Sequence, residues 1–194
     1  TIIPVESPLR IHEDMLGEWH YITQRLTRSK HRNNIIIWLL LKELEDNKKI
    51  LLLSERKEHI RILYTRLLNT PARDRVGIAV AGSMSKAITG KSLSQNIEEF
   101  KSPGARILLA SQLADEGLDI PSLDRVILSF PGKSRTKVLQ RIGRVQRMFP
   151  GKEEAMVYDI VDHQVKTLNS QYLKRREIYL NLGFKIGQRL QIPF

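Results

Sequence analysis

From Ile50 onward, short apolar runs alternate with stretches of helical periodicity. ILLL (50–53), VGIAV (76–80), RILLA (106–110), RVILSF (125–130) and AMVYDI (155–160) are apolar almost throughout. Such runs read as strands covered on both faces, the pattern of a buried parallel sheet. Between them lie helical stretches. Residues 55–69 set Ile60, Leu63, Leu67 and Leu68 on one side, and SQNIEEF is amphipathic after a Ser/Gly-rich loop. A helix is expected near 134–147 and a long one from the last run to about Leu182. This alternation predicts an α/β sandwich, a mainly parallel central sheet flanked by helices.

Upstream, Leu16, Trp19, Ile22 and Leu26 recur at helical spacing between Met15 and Ser29. A second helix is expected from a cap at Asn33 or Asn34 to about Asn47, with the apolar interior IIIWLLLKELE. Residues 1–14 hold two prolines and little periodicity, so they read as a lead-in. Phe184–Phe194 is expected to fray. The predicted organisation is therefore 1–32 lead-in and helix, 33–182 the main domain, and 183–194 a tail. The chain begins without Met, which suggests an excised piece.

Composition narrows the chemistry. With 194 residues and 41% apolar content the chain can build a core without staples. There is no cysteine, which excludes disulfides, thiol catalysis and cysteine metal sites. The longest apolar run, Ile35–Leu41, is far below the ~20 residues of a membrane span. No charged leader with an apolar stretch and cleavage site opens the chain. A soluble, intracellular protein without membrane contact is expected, with nucleus, viral factory and virion all open. The net charge of +11 points to a polyanionic partner or a basic interface.

Three candidate chemistries are weak. SKAITGKS (85–92) misses the phosphate-loop pattern GxxxxGK[ST], because Ser85 stands where the first Gly is needed. It reads as a flexible polar loop. The five histidines, His12, His20, His31, His59 and His163, are dispersed without ligand spacing, so no protein-held metal is expected. Trp19, Trp38 and Tyr21 can stack on bases but read more simply as core or contact residues. Lys174, Arg175 and Arg176 read as a solvated face or a basic contact.

The informative stretch is QRIGRVQR (140–147). At ~100° per residue, Arg144 and Arg147 fall within about 40° of Gln140, and Lys137 about 60° away. Val138, Ile142 and Val145 occupy the opposite side. One face is apolar and the other carries long polar donors. From Arg125 to Lys152 every charged residue is Lys or Arg. Arginine forks suit phosphate, and an Arg across a cleft can neutralise charge on a transferring phosphoryl group. A bland surface helix would show the same face. Upstream, Ser111 ends the RILLA strand, where ligands of open α/β sheets gather. Its hydroxyl can bond a phosphate oxygen. Gly117 permits a tight backbone path. Asp119, ahead of Ile120-Pro121, can bond a ribose hydroxyl, anchor an Arg, or simply serve as a loop residue.

Together, LLASQLADEGLDIP (108–121) and QRIGRVQR resemble the fifth and sixth motifs of the second RecA-like lobe of superfamily 2 helicases. SERKEH (54–59) resembles the weaker fourth-motif region, and AGSMS (81–85) a nucleic-acid-facing loop. The resemblance covers roughly residues 33–180. It implies a RecA-like three-layer sandwich and a motor working with a first lobe that carries the phosphate loop and the acidic magnesium motif. Arg144 and Arg147 match the arginines that reach the ATP phosphates, with Gln140 beside them. Gly117 and Asp119 match the positions coupling nucleotide to nucleic acid. Ser111 matches a nucleic-acid backbone contact, joined by Gln112, Gly82, Ser83 and Arg56. ATP and Mg2+ would be held mainly by the other lobe, so this chain alone is expected to be inactive as an ATPase. RNA-type members usually read HRIGRTGR. Gln140 and Asp115-Glu116 look more like DNA-translocating repair-type relatives and viral helicases of transcription, so DNA is favoured over RNA. The competing classes are a noncatalytic α/β module that binds nucleic acid or protein, and, less well supported, a complete small nucleotidase.

Overall fold

The computed structural model describes residues 1–11, 18–111, 123–130, 156–190 and 192. Six strands form one sheet: β1 Ile2–Glu6, β2 Ile50–Ser54, β3 Val76–Ala79, β4 Ile107–Ser111, β5 Arg125–Leu128 and β6 Met156–Val161. Their order is β1-β6-β5-β2-β4-β3, and every neighbouring pair is parallel. Among the described residues the helices are α1 Trp19–Arg28, α2 Lys30–Glu45, α3 Lys57–Leu67, α4 Met84–Thr89, α5 Leu93–Lys101 and α6 Lys166–Asn181.

The apolar runs explain the layers. Successive strand residues face opposite ways. Ile50, Leu52, Ile78, Ile107, Leu109, Ile127, Tyr158 and Ile160 join the large core with α2 and α3. Leu51, Ala79, Leu108 and Ala110 meet Phe100 of α5 on the other face. Val126, Leu128 and Val157 meet Tyr179 of α6 there. Both faces are covered, giving the α/β three-layer sandwich. The Ile35–Ile37 run is β-branched and gains little from helix propensity. It is helical because Ile35, Ile36, Leu39 and Leu40 are all buried against the sheet.

Several local expectations are corrected. Residues 2–6 are not a lead-in but an edge strand, paired with β6 from Ile2↔Val157 to Glu6↔Val161. Pro4 is tolerated because its missing N–H lies on the side of β1 away from β6, where no other strand of the sheet pairs with it. Ile186 and Leu190 are tied to β1 by Ile2↔Ile186 and Val5↔Leu190 bridges, so residues 186–190 are docked on the sheet edge, while 191, 193 and 194 lie outside the described residues. The α2 cap is Ser29, whose hydroxyl accepts from the Arg32 N–H at 3.4 Å, not Asn33 or Asn34. SKAITGKS is no flexible loop: α4 ends at Gly90 in the left-handed region (φ 73°), and Ser92 and Gln95 form a capping box opening α5. Arg175 leaves the solvated face altogether. It is 8% exposed and paired with Asp159 at 3.0 Å. Trp38 packs on the core as expected, while Trp19 is 41% exposed.

Candidate functional site

An all-parallel sheet places every strand's carboxyl end on one edge. Here β2 and β4 are in register from Ile50↔Ile107 to Ser54↔Ser111. Ser129 follows β5 on the other side of β2, its N–H and hydroxyl donating to the Leu53 carbonyl at 3.0 and 2.8 Å. Ser111, Ser54 and Ser129 thus form a row across three strands. All three are buried, Ser111 retaining 7% of its surface.

Arg56 is the residue before α3 and is exposed. Its backbone N–H donates to the Ser54 hydroxyl at 3.3 Å, and its guanidinium reaches the Thr23 hydroxyl of α1 at 3.1 Å. Lys57 then donates to the Ala81 carbonyl at 3.3 Å, tying the loop after β2 to the loop after β3. That second loop carries Gly82 and Ser83, both exposed. Gly82 sits at φ 86°, which a side chain would strain even though no atom crowds it. Ser83 caps no N–H of α4 with its side chain. Ser85 anchors the loop from below: its hydroxyl accepts from the Val80 N–H at 3.1 Å and donates to the Val80 carbonyl at 3.0 Å.

Behind this edge lies a buried polar layer. His59 of α3 is fully buried, with Nδ1 3.0 Å from the Ser54 hydroxyl and Nε2 2.9 Å from Asn33 Oδ1. Burial, helped by the nearby Arg32 charge, pushes its pKa down to about 3, so the ring is neutral at physiological pH. Arg32 itself is buried and its Nε donates to Asp162, just past β6, at 2.9 Å. Leu9, Ile22, Leu26, Phe130, Val165 and Leu168 form a small apolar cluster with α1 at this end. These groups hold the strand ends rigid.

The structure therefore brings Ser111, Arg56, Gly82 and Ser83 to one edge of the sheet. Gln112, Gly117, Asp119, Gln140, Arg144 and Arg147 lie outside the described residues. At this edge the chain leaves β4 at Ser111 and β5 through Phe130. Lys57, and Arg25 and Arg28 in the last turn of α1, add basic side chains that no motif marks. The basic run between Arg25 and Arg32 was the available signal. Among the described residues no cluster of His, Asp and Glu could hold a metal ion. No helix among them is long and apolar enough to cross a membrane.

Comparison with known proteins adds the family. The model of the helicase conserved C-terminal domain matches residues 31–149. The chain is 31% identical over 159 residues to the putative ATP-dependent RNA helicase L396 of Acanthamoeba polyphaga mimivirus, covering 81% of this chain and 28% of that protein. It is 22% identical over 187 residues to the putative ATP-dependent DNA helicase fml2 of Schizosaccharomyces pombe, covering 92% of this chain and 24% of that protein. The chain thus spans under a third of these relatives' lengths. Its fold is that of T4 UvsW, with TM-score 0.71 at 18% identity over 97% of this chain and 40% of that one.

Proposed function

The chain belongs to the helicase conserved C-terminal domain family, and on that premise we propose that it is the second motor lobe of an ATP-dependent superfamily 2 helicase or translocase. The observation that carries the reading is convergence. The strands leading into LLASQLADEGLDIP and QRIGRVQR open on the same edge that carries Arg56, Gly82 and Ser83.

In this reading Arg144 and Arg147 supply positive charge to the phosphates of ATP bound on a first lobe, with Gln140 beside them. Gly117 and Asp119 link nucleotide occupancy to the strand-end loops. Arg56, Gly82, Ser83, Ser111 and Gln112 grip the nucleic-acid backbone. Exposed Ser83 and the backbone around Gly82 offer donors to phosphate, while nearly buried Ser111 contributes at the base of the groove. Mg2+ would accompany ATP and neutralise its phosphates. In this reading its ligands belong to the other lobe. Closing on ATP draws the two lobes together along the backbone, and loss of the γ-phosphoryl releases them. Contacts to phosphate and sugar give salt-sensitive binding with weak sequence preference. Gln140 and Asp115-Glu116 favour DNA as the track.

The test is ATP turnover by the longest natural protein containing this segment, with duplex DNA, single-stranded DNA or RNA, beside an Arg144→Ala variant. Nucleic-acid-stimulated turnover abolished by the substitution supports the motor. Turnover that survives it overturns the arginine assignment. Nucleic-acid binding without turnover supports the noncatalytic module instead.

A further inference from the structure

The opposite edge of the sheet, where the strands begin, carries a second basic feature. A cavity of about 190 Å3 opens there, lined by Arg73, Arg75, Lys91, Arg106, Tyr64 and Asn96 among others. It lies at the opposite end of the strands from Ser111, Arg56, Gly82 and Ser83.

Two of its cations lack an acidic partner. β3 and β4 start in register at Val76↔Ile107, so Arg75 and Arg106 immediately precede adjacent parallel strands. Neighbouring strands lie ~4.8 Å apart, which holds these two backbone positions close. Neither arginine forms an ion pair among the described residues, and the buried Nε of Arg106 has no hydrogen-bond partner there. The other charges at the rim are engaged: Lys91 with Glu99 at 2.7 Å, and Arg73 with Asp74 at 3.6 Å. Both side chains line the cavity, and the unfilled Nε of Arg106 is a buried donor that an anion there would satisfy.

The walls are rigid. Asn96 donates to the Thr89 hydroxyl and to the Lys91 and Ser92 carbonyls at 3.1, 3.2 and 2.9 Å. Its Oδ1 accepts from the Ile78 N–H at 3.3 Å and lies 3.0 Å from where a Cβ on Gly77 would stand. This fixes the backbone of Lys91 against the start of β3. Tyr64 adds a phenol that burial keeps protonated as a donor.

We propose that this cavity binds a small phosphorylated anion, of phosphomonoester or pyrophosphate size, between Arg75 and Arg106. Guanidinium forks match phosphate oxygens, and the cavity is small enough to favour a free anion over a polymer. The site is independent of the motor assignment.

The experiment titrates the chain with sodium pyrophosphate at constant ionic strength, balanced with chloride. Binding is read by calorimetry and by the thermal midpoint, in the parent, Arg75→Gln and Arg106→Gln. The expected result is saturable binding with a higher midpoint, weakened about tenfold or more by either substitution. Arg75 is exposed, so its variant keeps the test valid even if Arg106→Gln folds poorly. Absence of saturation, or unchanged affinity in Arg75→Gln, would overturn the site. Displacement of bound pyrophosphate by a single-stranded oligonucleotide in the parent would also overturn it, reassigning the arginines to a nucleic-acid surface.

Discussion

The Ser54 hydroxyl and His59 Nδ1 lie 3.0 Å apart in a fully buried relay that begins at the exposed edge of the sheet. Asn33 donates its amide N–H to the Thr27 carbonyl at 3.0 Å, so its Oδ1 is left to accept from His59 Nε2. Nε2 therefore carries the ring proton, and Nδ1 accepts from Ser54. Ser54 in turn accepts the Arg56 N–H. The relay locks the start of α3 to α2 and holds Arg56 in place.

Acid should break that relay. His59 is held down at about 3, against about 6.5 in an unfolded chain. Between those values the unfolded state binds the proton and the folded state does not. Stability from this group is thus full above about pH 6.5 and is lost as pH falls toward 3, by up to about 1.4 kcal/mol per unit. Urea midpoints of the parent and His59→Asn, compared at pH 7.5 and 5, check this. The parent should lose more stability than the variant. Equal losses would mean that His59 is not the titrating group.

Arg32 and Asp162 form a second buried tie, both nearly without exposure. Removing one charge strands the other, which costs about 3–5 kcal/mol. Asp162→Ala should lower the denaturation midpoint sharply, while Arg28→Ala, which breaks the exposed pair with Glu58, should cost under about 1 kcal/mol. Comparable losses in the two variants would contradict the buried geometry.

On the other face, Asp159 receives Arg175 at 3.0 and 3.2 Å and the Tyr179 hydroxyl at 2.7 Å. Tyr179→Phe removes one bond to a buried carboxylate and should cost about 1.5–3 kcal/mol. Arg175→Met should cost more, because it removes a buried charge partner and two hydrogen bonds from Asp159. Chemical denaturation of both variants gives the ranking, and the reverse order would show that Arg175 does not neutralise Asp159.

Arg56→Ala tests the proposed nucleic-acid edge with little risk to the fold, since the side chain is exposed and its hydrogen bond among the described residues is to the Thr23 hydroxyl. If Arg56 contacts a phosphate, affinity for DNA should fall and the slope of log K against log salt should shrink by about one. Binding isotherms at several salt concentrations measure both. An unchanged slope would remove Arg56 from the interface.

The sequence by itself was sufficient for the α/β class, the parallel sheet and five of its strands. Runs such as RILLA and RVILSF have no solvent face to reconcile, so local apolarity alone forces burial on both sides. The motif pair likewise needs only linear spacing to be read. The edge strand Ile2–Glu6 was hidden, because Pro4 argues against a strand until an edge position excuses it. Buried charge was hidden for a deeper reason. Arg32, His59, Asp159 and Arg175 look like surface residues along the chain, and only partners distant in sequence make their burial affordable. Asp162 stands 130 residues from Arg32, and no local pattern encodes that pairing. The same holds for Arg75 and Arg106: each is an ordinary arginine until the β3–β4 register sets them side by side at the start of adjacent strands.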